Sequence, residues 1–217
     1  MKKAQDKYIN EQDQLINEQI KTLRTNITFN INENENIVYM VTSSKQSEGK
    51  TFVSKNLAQS LADAKYKVLI IDADMRKPNL HKRFQIINSH GLSNVISRQI
   101  TFNDAIIYDE VNNIDVLTAG VNPPNPSELL DSKQFKDLLF SIKKEYDYII
   151  IDTPPILPVT DALVLGNIVD KTILIVNSKT TSSDIVIEAK ERLDNLSIPI
   201  FGVVLNQVKA DKISGYY

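Results

Sequence analysis

The 217-residue chain contains no cysteine and only two histidines, His81 and His90. Without cysteine there is no disulfide, no thiolate metal site and no cysteine nucleophile, and a cytoplasmic protein is the natural expectation, because small secreted domains lean on disulfides. Two histidines leave no multi-histidine zinc site. No apolar run approaches the roughly 20 residues that cross a bilayer. Runs such as 68–71 and 149–151 have strand length. Residues 1–7 are polar and lack the apolar stretch of a signal peptide. A membrane role would therefore have to come through a partner. A strong charge of one sign is also missing: the formal net charge of −2 argues against nucleic acid as the main partner. What is present, 42% hydrophobic and 24% charged residues, is ordinary globular composition at a length that fits one α/β domain.

Residues 1–35 stand apart. Positions 11–29 predict an amphipathic helix with Ile16, Ile20, Leu23 and Ile27 on one stripe. Residues 30–36, rich in Asn and Glu, read as a linker. From there the chain alternates: strands are expected at 37–42, 67–71, 114–118, 148–151, 172–176 and 200–205, and helices notably at 51–64, 126–144 and 183–196. Several strand segments are apolar on successive residues, as in strands covered on both faces. Such alternation predicts βαβ units and a mostly parallel sheet with helices on both faces. The division is thus an N-terminal helix and linker at 1–35, one α/β domain at 36–208, and a short polar tail at 209–217 that ends in Tyr216 and Tyr217.

Three motifs carry chemistry. Val41-Thr-Ser-Ser-Lys-Gln-Ser-Glu-Gly-Lys-Thr51 follows the first core strand and opens a helix. It matches a P-loop except that Ser44 stands where the first Gly belongs. Such a loop turns backbone N–H groups of Ser47, Glu48, Gly49, Lys50, Thr51 and Phe52 toward phosphates at a positive helix N-terminus. Lys50 is expected on the β- and γ-phosphates and Thr51 on Mg²⁺. Second, Tyr148-Ile-Ile-Ile-Asp-Thr-Pro-Pro155 places Asp152 at the carboxyl end of an apolar strand, where a metal–phosphate carboxylate belongs; a helix cap or turn is the plainer reading. Third, Val68-Leu-Ile-Ile-Asp-Ala-Asp-Met-Arg-Lys-Pro78 ends a strand in Asp72 and Asp74. Two residues apart on extended chain, both carboxylates are expected to face one centre. Asp72 would support Mg²⁺ through water, and Asp74 would accept a proton from an attacking hydroxyl. Arg76 and Lys77 alternatively read as solvated charges.

Together the motifs Gly49-Lys50-Thr51, Asp72-Ala-Asp74-Met-Arg76-Lys77-Pro78 and Asp152-Thr-Pro-Pro155 resemble those of the bacterial tyrosine kinases of capsule and exopolysaccharide synthesis. Pro123-Pro-Asn-Pro-Ser-Glu-Leu129 and Val159-Thr-Asp161-Ala add to the resemblance, which runs from about residue 18 to 206. It implies a P-loop NTPase fold, ATP and Mg²⁺ as cofactors, and autophosphorylation of C-terminal tyrosines, here Tyr216 and Tyr217, in trans. The resemblance assigns Lys50 and Thr51 to phosphates and metal, Asp72 and Asp74 to catalysis and metal support, and Asp152 to metal. Asn206 is either an adenine contact or a strand-end turn residue.

The implied partners are a membrane-embedded activator of the polysaccharide co-polymerase type, a cognate tyrosine phosphatase, and further copies of the chain in a ring. The ring motif Glu-x-x-Arg-x-x-Arg corresponds to Glu18, Lys21 and Arg24, with Lys21 in place of Arg. The implied place is the inner face of the cell membrane, as a separate chain of the Gram-positive type or as the domain of a longer membrane kinase. The short terminal tyrosine cluster is either natural or a truncation. Partitioning and division-site ATPases share the fold and carry a signature lysine early in the P-loop; Lys45 has that spacing but lacks the Gly-Gly that follows it there. An ATP-hydrolysing switch of that type and a nucleotide-dependent adaptor are the competing functions.

Overall fold

The computed structural model describes residues 2–29 and 35–208, with side chains from residue 13 onward. In chain order the elements are α1 (Lys2–Phe29), β1 (Ile37–Ser43), α2 (Lys50–Asp63), β2 (Val68–Asp72), α3 (Leu80–Phe84), α4 (Leu92–Ile96), α5 (Phe102–Ala105), β3 (Ile107–Asp109), β4 (Ile114–Leu117), α6 (Pro126–Asp131), α7 (Lys133–Ile142), β5 (Tyr148–Asp152), α8 (Asp161–Gly166), β6 (Lys171–Asn177), α9 (Ser183–Asn195) and β7 (Ile200–Asn206). The seven strands form one sheet in the order β3-β4-β2-β5-β1-β6-β7. All neighbours pair in parallel except β3, which runs antiparallel to β4 at the edge. The fold is α/β with helices on both faces, as the alternation predicted.

Each central strand feeds two cores. In β5, Ile149 and Ile151 face the layer built with Leu130, Phe135, Leu165 and Leu193, while Tyr148 and Ile150 face the layer with Ile27, Leu57 and Leu61. This is why the strand reads as a continuous apolar run. The sheet order also creates the site. From β1 the chain crosses through α2 to β2 on one side, whereas β6 lies on the other side of β1. The carboxyl ends of β1, β5 and β2 therefore open into a switch-point crevice, where ligands of such sheets bind.

Two expectations need correction. The helix expected at 126–144 is broken: Ser132 adopts an extended conformation with ψ 150° between α6 and α7. Its hydroxyl donates to the Leu129 carbonyl (2.7 Å) and accepts the Phe135 N–H (3.3 Å), closing one helix and capping the next. The N-terminal helix starts at Lys2, well before position 11, and its last turns join the domain core. Ile27 is fully buried and Leu23 packs beside it, but Ile16 is 38% exposed, so the apolar stripe is covered only at one end.

Candidate functional site

The loop after β1 is shaped by two left-handed residues, Ser47 (φ 65°) and Gly49 (φ 93°). Gly49 is required twice over. Its φ suits glycine, and a Cβ there would stand 2.0 Å from Asn206 Nδ2. That amide donates to the Glu48 carbonyl at 2.8 Å, so the end of β7 clamps the loop. The Glu48 side chain does not face the crevice. Its carboxylate accepts the N–H groups of Lys45 (2.7 Å) and Asn177 (3.2 Å) and the Thr181 hydroxyl, bracing the loop against the end of β6. Ser47, Gly49, Lys50, Thr51 and Phe52 line a groove of about 1580 Å³ outside the sheet's carboxyl edge.

Asp72 and Asp152 are register partners on β2 and β5, both buried. Asp152 accepts the Thr51 hydroxyl at 2.6 Å on one oxygen and the Ser54 hydroxyl at 3.1 Å on the other. Asp72 accepts the N–H groups of Asp74 (3.1 Å), Asn79 (3.1 Å) and Leu80 (3.0 Å). Asp74 takes Lys50 Nζ at 2.9 Å and the Lys77 N–H at 3.0 Å. Asp72 and Asp74 both act on Lys50, but only Asp74 bonds to it. The strand ends at Asp72, so side-chain alternation stops there; Asp72 holds its own loop together, and Asp74 alone reaches Lys50 and the groove.

Burial pushes the Asp72 carboxyl up to about 7, with the Asp152 charge adding to it and the Leu80 and Asn79 amides opposing it. Burial likewise raises Asp152, against the pull of Lys50 and the two hydroxyls. For Lys50, burial alone would lower the value, but the carboxylates of Asp152, Asp74 and Asp72 lift it. Three carboxylates thus surround one ammonium. The centre is short of positive charge, which suits a divalent cation brought by a phosphate. Among the described residues no three His, Asp or Glu side chains form a cage that would hold a metal without one.

Arg76 is partly exposed but not a free charge. It forks onto the fully buried Asp161 at the start of α8, Nε at 2.9 Å and one terminal nitrogen at 3.0 Å, and it also donates to Ser127 Oγ at 3.2 Å in α6. One guanidinium thus joins the 72–78, 123–129 and 159–162 motifs. Lys45, which has the spacing of a signature lysine, donates to the Thr180 carbonyl of its own chain at 3.2 Å. On α1, Glu18 and Lys21 form an exposed ion pair at 2.7 Å, but Arg24 turns inward and donates to the Ser60 carbonyl near the end of α2 at 2.8 Å. Those three residues are not one outward-facing set. Tyr216 and Tyr217 lie outside the described residues. Sequence reasoning missed Ser54; its signal was present, because position 54 follows Lys50 by one helical turn and shares its face.

Residues 35–194 match the model of a family described as an AAA domain. CapB of Staphylococcus aureus, provisionally named a tyrosine-protein kinase, is 43% identical over 93% of this chain and 89% of its own length. The tyrosine-protein kinase YwqD of Bacillus subtilis is 40% identical over 95% of this chain and 88% of its own. Among solved structures, the kinase domain of the Escherichia coli tyrosine kinase ETK superposes with a TM-score of 0.84 at 36% identity, covering 89% of this chain and 78% of that one. The Pyrococcus furiosus cell division ATPase MinD is more distant, with a TM-score of 0.67 at 25% identity over 78% of this chain and 71% of its own.

Proposed function

The chain belongs to the bacterial tyrosine-protein kinases, and on that premise we propose that it transfers the γ-phosphoryl group of ATP to Tyr216 and Tyr217 of a neighbouring copy, and that this regulates capsular or exopolysaccharide synthesis and export. The observation that carries the reading is the convergence of Lys50, Thr51, Asp74 and Asp152 at the carboxyl ends of β1, β2 and β5. Lys50 exchanges its bond to Asp74 for the β- and γ-phosphate oxygens. Asp74, released, accepts the phenol proton as the tyrosine oxygen bonds to the γ-phosphorus and the bond from that phosphorus to the leaving ADP oxygen breaks. Positioning and charge neutralisation supply most of the acceleration in such transfers. Mg²⁺ fits the donor set: Thr51 and Asp152 would hold it, with Asp72 behind them, and it would neutralise charge on the transferring phosphates. Ser54 keeps Asp152 oriented when Thr51 turns to the metal.

The proposed partners are a membrane-embedded activator of the polysaccharide co-polymerase type, a cognate tyrosine phosphatase, and further copies in a ring, at the cytoplasmic face of the membrane. The positioning-ATPase reading loses ground on the residues after Lys45, which are Gln46 and Ser47 rather than Gly-Gly. The test mixes two chains with Mg-ATP and an activator peptide: a Lys50→Met chain with both terminal tyrosines, and an active chain lacking both. Phosphotyrosine on the Lys50→Met chain is the expected result. Its absence, while intact wild-type chain labels its own tail, rejects transfer between copies; release of inorganic phosphate with no phosphotyrosine on any chain rejects the kinase reading of the site.

A further inference from the structure

The groove beside Asp74 has an uneven charge census. Among its described lining residues six are cationic, Lys50, Arg76, Lys77, Lys82, Arg83 and Lys179, and Asp74 is the single carboxylate. Two of the cations are already matched, Lys50 by Asp74 and Arg76 by Asp161. Lys77 meets only the neutral amide oxygen of Gln46, at 3.0 Å. Lys82 and Arg83 are exposed on α3, and their charged heads have no acidic partner among the described residues. The helix that carries them is fixed, not drifting: Lys55 of α2 donates to the Arg83 carbonyl at 2.9 Å and lies over the Phe84 ring. These cations follow the Asp74 loop directly in the chain. The 152–159 segment lines the same groove, and of its residues there Pro158 and Val159 are accessible, an apolar surface suited to an aromatic ring, with Pro154 and Pro155 buried beneath.

We propose that Lys77, Lys82 and Arg83 are specificity-determining residues that select an acceptor tyrosine flanked by acidic residues on a second protein; the chain's own Tyr216 and Tyr217, preceded by Lys209, Asp211 and Lys212, gain nothing from this rim and owe their access to attachment to a neighbouring copy. The tyrosine ring rests on Pro158 and Val159 with its hydroxyl toward Asp74, and the flanking carboxylates pass along the Lys77–Lys82–Arg83 rim. Three exposed cations along one wall of the groove attract such a segment and disfavour a lysine-flanked one, so discrimination comes from repulsion as well as attraction. This rests on Asp74 being the carboxylate that faces the acceptor.

The test is equilibrium binding to the full chain saturated with Mg-ADP, so that glutamates cannot occupy the phosphate loop. Two fluorescent peptides carry one tyrosine and differ only in four flanking residues, glutamates in one and lysines in the other. The glutamate peptide should bind at least about tenfold more tightly at low salt, and the gap should close toward 0.5 M salt as screening shortens to a few ångström. In the Lys82→Glu/Arg83→Glu variant the gap should vanish or invert while ADP affinity stays within about twofold. A Lys133→Glu/Lys136→Glu variant on the remote α7 should keep it. If the charge reversal unfolds the chain, Lys82→Ala and Arg83→Ala singly should each give part of the loss. Equal affinity for the two peptides, no binding of the glutamate peptide, a gap that survives every α3 variant, or ADP affinity lost in step with peptide affinity overturns the proposal. Binding needs no proton transfer. An Asp74→Asn chain that turns over normally would sink the catalytic reading without touching this result.

Discussion

At the scale of single residues, the site is a set of exchanges waiting for a nucleotide. Lys50 is held by Asp74 and Thr51 by Asp152, so each group that must reach phosphate or metal is kept in place by a carboxylate. Asp72 bears the electrostatic cost. Its ordinary value is 3.8 and its value in the fold is about 7, so between those pH values the folded chain keeps a proton that the unfolded chain has lost. The sign follows: the contribution to stability is present at low pH and fades as pH rises from about 4 through about 7. Denaturant unfolding in chelator without nucleotide should therefore show Asp72→Asn gaining on wild type by about 1–3 kcal/mol between pH 5 and pH 7. A difference that is constant with pH would mean that Asp72 is not protonated in the fold. The P-loop and Asp152 were legible because each sits at a fixed offset from a strand end. Arg76 was not, because its partner Asp161 lies 85 positions away and nothing local announces a buried carboxylate.

At the scale of elements, one guanidinium ties the loop after β2 to α6 and α8. A lysine at that position offers a point charge in place of a planar fork, and its single nitrogen lacks the two-nitrogen grip that Arg76 has on Asp161 and Ser127. Arg76→Lys is expected to cost about 1–3 kcal/mol in stability and to loosen the Asp74 loop, lowering turnover more than ATP affinity. Urea unfolding together with a split of kcat from KM measures both; an unchanged stability would show that the network is slack. The same scale explains the misread helix. After Pro126 the stretch 126–144 holds no Gly or Pro, so no strong breaker marks the join between the two helices. Ser132 stops the first by hydrogen bonding its carbonyl and starts the second by capping its amide. The short strand β3 escaped for another reason: its three residues are half-exposed, and an edge strand needs no apolar run.

At the scale of the whole molecule, the alternation of apolar strands and amphipathic helices was enough to predict a mostly parallel sheet and the edge at which the site lies. The role of α1 was not. Its stripe is half absorbed by the core through Leu23 and Ile27 and half left along the groove at Ile16 and Ile20. Assembly and packing therefore separate along the helix. Glu18→Ala/Lys21→Ala should shift an oligomer toward monomer with the melting temperature nearly unchanged, because an exposed ion pair contributes little to folding. Arg24→Ala should cost about 1 kcal/mol by itself, since it removes a bond to α2 of the same chain. Light scattering and thermal unfolding on both variants check this. Loss of stability in the first and none in the second would reverse the assignment.

The central claim is that Lys50 serves the phosphates while Asp74 serves the acceptor, and one variant separates the two. Asp74→Asn keeps the shape of the side chain, gives up its capacity to take a proton, and frees Lys50 from an ion pair that ATP otherwise has to break. ATP affinity and single-turnover phosphotyrosine formation are measured on the same preparation. ATP should bind as tightly as to wild type or slightly more tightly, while the rate of transfer falls by about 10²–10⁴-fold. Affinity and rate that fall by the same factor would make Asp74 a nucleotide-binding residue and contradict the account.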